Sequence, residues 1–268
     1  MLIIGEKLNG AIKSVARAIK NKDEVFIKIL TSSQLNCRAD YLDICSGKAD
    51  GDADIMKWMI GIIQKDHPDV RFSLDSPNPD AILECMPVCK NPGIINSVSL
   101  EGDKIEKIFP VLAESKGWKV IALLSDGTGM PKTVEKRMEN FHGIMEKIKE
   151  YGISADRVYF DPLVFALASS PDSFLRFINT AKAIKEEYPD AHIVSGLSNI
   201  SYGLPYRKAI NHAFLVGAMT YGMDGAIMDP LDRDTLSGVY AAEALLGIDE
   251  NCAEYLSAYR NGLFGSKK

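Results

Sequence analysis

Eight short apolar runs in this 268-residue chain are each followed by a carboxylate or a carboxamide. In order the run ends read Glu6-Lys7-Leu8-Asn9, Leu42-Asp43-Ile44-Cys45, Leu74-Asp75-Ser76, Asn96-Ser97, Ser125-Asp126, Phe160-Asp161-Pro162, Ser198-Asn199 and Met228-Asp229-Pro230. Carboxylates removed from water are costly unless paired or hydrogen-bonded. So many gathered at one mouth predict a ligand rich in hydrogen-bond donors. Asp and Asn after a strand also serve as helix caps and turn formers. That reading fits Asp126-Gly127 as a turn and, in part, Asp43. It fits Asp75 poorly, because Asn78 before Pro79 already makes a cap with proline at the first helical position. Asp161 is followed by its next cap candidate, Ser170, only nine residues later, and after Asn199 the helix is expected to start near Pro205. Asp75, Asp161 and Asn199 are therefore spare polar groups. Asp229 precedes Pro230, which disfavours helix at Asp229 itself, while Asp232 can start the next helix.

Other chemistries find less support in the residues. The four histidines (His67, His142, His192, His212) have no metal-ligand spacing, and the Cys85/Cys89 pair has neither a nearby histidine nor a second pair, so no metal site is expected. No G-x-S-x-G elbow, Walker A or G-x-G-x-x-G string occurs. Lys7 could form a Schiff base, but among so many carboxylates and amides it reads as an ion-pair partner. Gly196-Leu197-Ser198-Asn199 holds a single glycine and makes no obvious phosphate cradle.

The elements that must position these groups alternate from end to end. Strands are predicted at 2–5, 41–45, 71–74, 94–100, 119–124, 158–160, 192–196 and 225–228, and helices between them at 54–64, 79–88, 104–115, 134–151, 171–188, 205–221 and 235–246. Gly152, just after Lys147, Lys149 and Tyr151, marks a helix C-terminus. Eight βα units of ~30 residues nearly exhaust the chain, which predicts one (β/α)8 TIM-barrel domain over residues 1–268. A doubly wound open sheet is the alternative from pattern alone. In a barrel the active site lies where strands end and βα loops begin.

The composition, 46% hydrophobic and 25% charged, is that of a globular protein and excludes disordered and collagen-like classes. The net charge of −5 argues against nucleic acid as the main partner. No apolar run is long enough to span a membrane. The apolar start is too short for a signal peptide, and five cysteines, an odd count, read as reduced, so a cytoplasmic location is expected.

The strand-end strings resemble the pterin-binding barrel family, and within it the methyltetrahydrofolate–corrinoid protein methyltransferases. The likeness is carried by Ile4-Gly5-Glu6-Lys7-Leu8-Asn9-Gly10, Leu74-Asp75-Ser76, Asn96-Ser97-Val98, Phe160-Asp161-Pro162-Leu163 and, most specifically, Ser198-Asn199-Ile200-Ser201-Tyr202-Gly203-Leu204-Pro205. It runs from the first residues to about Asp232. The resemblance implies that Asp161 takes the pterin amine and N3–H, that Asp75 and Asn96 hold the N1/N8 side, and that Asn199 reaches N5 and its methyl group. It brings Ser198, Arg207, Asp43, Asn9, Tyr202 and Asp229 into the folate site as further ligands. The implied reaction is methyl transfer between N5 of tetrahydrofolate (with 5-methyltetrahydrofolate as the methylated partner) and the cobalt of a corrinoid supplied by a separate, cognate corrinoid protein docked over the mouth. Neutral N5 is a poor leaving group, and a carboxamide can donate to it or accept from its protonated form. A homodimer is implied by the resemblance only, and the direction of transfer stays open.

The chain also departs from the family pattern. Cys45 stands where relatives often carry asparagine, and it reads as a packing residue rather than a nucleophile. Tyr202 stands where close relatives have glutamine, although an aromatic occurs there in the methionine-synthase folate domain. Dihydropteroate synthase shares the three pterin-gripping residues. It expects arginine and lysine where this chain has Asn199 and Ile200, and a Ser-Thr-Arg-Pro-Gly type loop where this chain has Ser46-Gly47-Lys48-Ala49-Asp50. A non-catalytic pterin-binding subunit is a third reading, against which the presence of Asn199 counts.

Overall fold

The computed structural model describes residues 1–48 and 52–265; Ala49 and Asp50 of the second loop string lie outside them. Eight parallel strands close into a barrel in chain order: β1 (Leu2–Asn9), β2 (Tyr41–Cys45), β3 (Phe72–Asp75), β4 (Ile94–Leu100), β5 (Lys119–Asp126), β6 (Val158–Asp161), β7 (His192–Gly196) and β8 (Gly225–Met228). The TIM-barrel expectation holds and the open sheet is excluded, because β1 pairs with both β2 and β8. Strand ends move by at most two residues from those expected, except that β1 runs four residues past Gly5.

The outer ring is α1 (Lys13–Asn21), α2 (Glu24–Leu35), α3 (Ala53–Asp66), α4 (Pro79–Cys85), α5 (Lys104–Glu114), α6 (Val134–Glu150), α7 (Ser173–Glu187), α8 (Arg207–Met219) and α9 (Arg233–Leu245), followed by α10 (Ala253–Arg260). Asn78 caps α4 through the Asp80 amide at 3.0 Å with Pro79 at the first turn, as its sequence predicts. Gly152 follows α6 with φ +65°, the left-handed conformation that favours glycine. Three helix starts differ from expectation by two residues, α9 beginning at Arg233 rather than 235, directly after Asp232. α7 begins at Ser173 rather than Pro171, and the Ser170 hydroxyl meets Arg176 instead of capping. α8 begins at Arg207 rather than Pro205, because Tyr206 turns into the left-handed region (φ 48°, ψ 48°). Helices α1, α2 and α10 have no counterpart among the predicted segments; α1 has Ile12 at its cap position, with no side-chain cap bond to announce it.

Strand alternation sorts the barrel into layers. Ile3, Leu42, Ile44, Phe72, Leu74, Ile95, Val120, Phe160 and Ile193 face the helices in the main core. Phe160, for example, packs edge-on against Phe141 of α6 at 4.7 Å between ring centres. Ile4, Tyr41, Ile94, Ile121, Tyr159 and Val194 face inward and form a separate apolar plug in the lower barrel. The next inward positions along the same strands are Glu6, Asp43, Asn96, Leu123, Asp161 and Gly196. The fold thus fills the bottom of the barrel with hydrocarbon and puts its inward polar groups at the top, with Leu123 the apolar member of that layer.

A bulge in β1 sets the position of Glu6. Pairing steps from Gly5↔Leu42 to Leu8↔Ile44, so β1 advances three residues while β2 advances two. A bulge orphans backbone groups, which must find other partners. The Lys7 amide donates to Oε1 of Gln34, a fully buried side chain on α2, at 3.1 Å. Gly5 makes room for that amide group, since a Cβ there would lie 2.6 Å from the same oxygen.

Candidate active site

On the wall from β2 to β6, Asp43, Asn96 and Asp161 are buried, and Asp75 and Cys45 are half-buried. Pairing places Cys45 beside Asp75 and Asp75 beside Asn96 at one level of the barrel. One level below, Asp43 Oδ1 accepts from Ser73 Oγ at 2.6 Å and from Asn96 Nδ2 at 3.1 Å. Burial drives the Asp43 carboxyl well above its usual range, and the charges of Asp75 and Glu6 add to this against the Ser73 and Asn96 bonds. Asp75 is also raised by burial, against the Cys45 thiol beside it. Asp161 ends β6, inward by alternation with Tyr159, and its Oδ1 accepts the Leu163 amide at 2.8 Å. Burial pushes its carboxyl up to about 7, although the Leu163 amide and the Arg137 charge oppose this.

The rim from β7 through β8 to β1 is built differently. Asn199 ends a short 3-10 turn (Leu197–Asn199) directly after β7 and is exposed. Arg207, at the start of α8, donates through Nε to Ser201 Oγ at 3.0 Å and through Nη2 to the Ser198 carbonyl. Its guanidinium carbon lies 5.9 Å from the ring centre of Tyr202, which is 71% exposed. Lys7 pairs with Asp229 at 2.8 Å, as its reading as an ion-pair partner requires. The other Asp229 oxygen accepts the Leu231 amide at 3.0 Å. Asn9 Oδ1 accepts the Ala11 amide at 2.8 Å, so its carboxamide oxygen is engaged in a local turn.

Asp43, Asp75 and Asn96 are thus brought together directly. Asp161 stands further round on the same inward layer, Asn9 lies in register with Cys45 at the β1 edge of the wall, and Asn199, Ser198, Arg207, Tyr202 and Asp229 occupy the opposite rim. Asp126, read as a turn residue, accepts from Thr128 and pairs with Lys136 at 2.9 Å. Two residues of the site were given no role by the sequence reading, Glu6, quoted there only as part of a strand end, and Arg137. Glu6 shares the inward side with Leu2 and Ile4, a period-two signal that was available. Arg137, fully buried on α6, donates through Nε to the Pro131 carbonyl at 3.4 Å and lies near enough to Asp161 for the two charges to interact. An arginine in the first turn of a helix carries no sequence signal for that placement. No group of three or more His, Cys, Asp or Glu side chains among the described residues is placed to hold a metal ion.

A closed parallel barrel with a carboxylate–carboxamide wall at the C-terminal mouth and an apolar plug beneath has the layout of the barrel enzymes, whose sites lie at that mouth. The chain belongs to the pterin binding enzyme family, whose profile matches residues 31–229. It is 42% identical over 267 residues to the methylcorrinoid:tetrahydrofolate methyltransferase of Eubacterium limosum, covering 99% of this chain and 98% of that protein. It is 29% identical over 242 residues to the methionine synthase of Mycobacterium tuberculosis, a match that takes in 85% of this chain and 20% of that longer protein. Among solved structures, the dihydropteroate synthase of Xanthomonas albilineans superposes with a TM-score of 0.65 over 93% of both chains at 16% identity. That of Coxiella burnetii gives 0.64 at 14% identity, over 91% of this chain and 94% of that one. These two likenesses concern the fold.

Proposed function

We infer that this enzyme transfers a methyl group between N5 of tetrahydrofolate and the cobalt of a corrinoid carried by a separate protein. The observation that carries the reading is the end-to-end likeness to a methylcorrinoid:tetrahydrofolate methyltransferase in a chain with this mouth. The chemistry of the site supports it. Around a reduced pterin the edge groups run N8–H, N1, 2-amino, N3–H, O4 and N5. The barrel meets that order with Asp75 on β3, Asn96 on β4, Asp161 on β6 and Asn199 after β7. Asp161, ionised, accepts the amine and N3–H as a bidentate pair. Asp75 and Asn96 take the N1/N8 edge, and Asn96 Nδ2, held by Asp43, is fixed in orientation.

N5 then faces the β7–β8 rim. Asn199 donates to neutral N5 or, after rotation, accepts from the protonated nitrogen. A group that can do both suits a step whose charge changes along its path. Arg207 braces the loop that carries Asn199 through Ser198 and Ser201. The corrinoid protein docks over the exposed side of this rim, so that cobalt approaches the methyl in line. The same reading makes residues 1–268 one pterin-binding domain, and the enzyme a cytoplasmic homodimer. No helix among the described residues is long and apolar enough to cross a membrane.

The test is spectroscopic. Mixed with 5-methyltetrahydrofolate and cob(I)alamin, the protein is expected to convert the Co(I) spectrum to that of methylcobalamin. No binding of 5-methyltetrahydrofolate at about 1 mM would overturn the reading. Binding without turnover would make the chain a pterin-binding subunit. Condensation of a pterin pyrophosphate with aminobenzoate would make it a synthase.

A further inference from the structure

Among the described residues, Glu6 is the inward carboxyl of the mouth that the reading above leaves without a task. The bulge held by Gln34 aims it into the barrel at the level of Asp43. Asp43 of β2, Asp229 after β8, Lys7 of its own strand and Arg207 of α8 all lie near enough for their charges to act on it or it on them. Glu6 therefore stands where the binding wall meets the rim that faces N5. Among the described residues no hydrogen-bond donor is engaged with its carboxylate. Each neighbour is otherwise occupied: Asp43 with Ser73 and Asn96, Lys7 with Asp229, and Arg207 with Ser198 and Ser201.

We propose that Glu6 is the acid–base group of the methyl transfer, giving a proton to N5 as the methyl leaves and taking it back as the methyl arrives. The proposal rests on the methyl-transfer reading. From folate to cobalt, the Co(I) electron pair forms the Co–C bond. The N5–C bond breaks with its pair left on N5, and the Glu6 O–H proton passes to that pair, directly or through water, leaving a carboxylate. In the reverse direction the N5 pair takes the methyl, cobalt keeps the Co–C pair as Co(I), and the N5–H proton goes to the Glu6 carboxylate. Asn199 can hydrogen-bond N5 in either state but has no proton to lose, and Arg207 does not give one up. Burial, and next to it the Asp229 charge, push the Glu6 carboxyl up to about 7 against the pull of Lys7 and Arg207. An acid–base group works best with its pKa near the working pH.

The experiment compares wild type with Glu6→Gln and Glu6→Asp in single-turnover transfer in both directions, across about pH 5–9, alongside folate binding and infrared titration of carboxyl groups. The wild-type rate from folate to cobalt is expected to fall as pH rises through about 7, and the reverse rate to rise. Glu6→Gln is expected to slow both by about 10²–10³-fold, with folate affinity retained and the inflection near 7 gone. Glu6→Asp should restore part of the rate together with a pH dependence. A Gln variant that keeps the wild-type rate and profile, or that loses affinity as much as rate, would overturn the proposal. If the wild type moves no methyl at all, the functional reading fails instead. The infrared titration then still decides whether Glu6 carries a proton up to about pH 7, and its absence would overturn the assignment.

Discussion

Asp43, Asp75, Asn96 and Asp161, on β2 to β6, are sunk in the barrel, with raised carboxyl pKa values and partners inside the wall. Lys7, Asn199, Arg207 and Asp229, on the β7–β8–β1 rim, are partly or fully exposed and held by ion pairs or loop bonds. Both sides are polar, but their costs differ. A buried carboxylate without donors is expensive, so the wall is poised for a ligand that brings N–H groups. The rim remains near water and can change charge. On the proposed reading the contrast separates holding the heterocycle from acting on its methylated nitrogen, and substitutions on the two sides should fail in different ways.

The largest expected effect is on the rim. Asn199→Ala should lower turnover by about 10²–10³-fold while 5-methyltetrahydrofolate affinity changes far less, read as a split between single-turnover rate and binding constant. Equal losses in both would reduce Asn199 to a binding group. On the wall, Asp161→Asn and Asp75→Asn should each weaken folate binding by about 10–100-fold, since each leaves ligand donors unpaired at about 1–3 kcal/mol. Calorimetric titration decides between this and an unaltered affinity.

The wall also predicts pH effects. Because Asp161 must be ionised to accept two N–H groups, folate affinity should rise with pH up to about 7 and then level off. In Asp161→Asn that part of the dependence should vanish. For stability the sign is opposite. The Asp161 carboxyl has an ordinary value of 3.8 and a folded value of about 7, so between these the folded chain holds more protons than the unfolded one. Stability therefore falls as pH rises across that window. Calorimetry of Asp161→Asn near neutral pH should show a Tm about 2–4 °C or more above wild type. A lower Tm would mean that the carboxylate is stabilised in the empty site. The smallest effect concerns Cys45, whose thiol burial pushes up to about 12 with the Asp75 charge adding to it. Iodoacetamide near pH 8 should label exposed Cys252 well before Cys45.

The strands and the closed barrel were legible because each strand is a short apolar run ended by a polar group, and the βα alternation repeats without a break. Asn78-Pro79 and Gly152 announced their helix ends by local chemistry that the structure repeats. The starts of α7 and α8 were misplaced because proline suggested a first turn, whereas Tyr206 adopts a left-handed turn that no local rule for tyrosine foretells. In the site, the wall residues could be named from strand ends. The position of Glu6 depends on a bulge stabilised by Gln34, 28 residues away in sequence from Glu6, and on the space at Gly5. Arg137 reaches the neighbourhood of Asp161 only through the packing of α6 on β6. Long-range packing of this kind leaves no periodic trace.

A crystal structure with bound 5-methyltetrahydrofolate tests the division of the mouth most directly. The account predicts the 2-amino and N3–H groups on Asp161, the N1/N8 edge on Asp75 and Asn96, and the N5 methyl turned toward Asn199. A pterin bound away from these carboxylates, or one whose N5 points at β3 and β4, would contradict it.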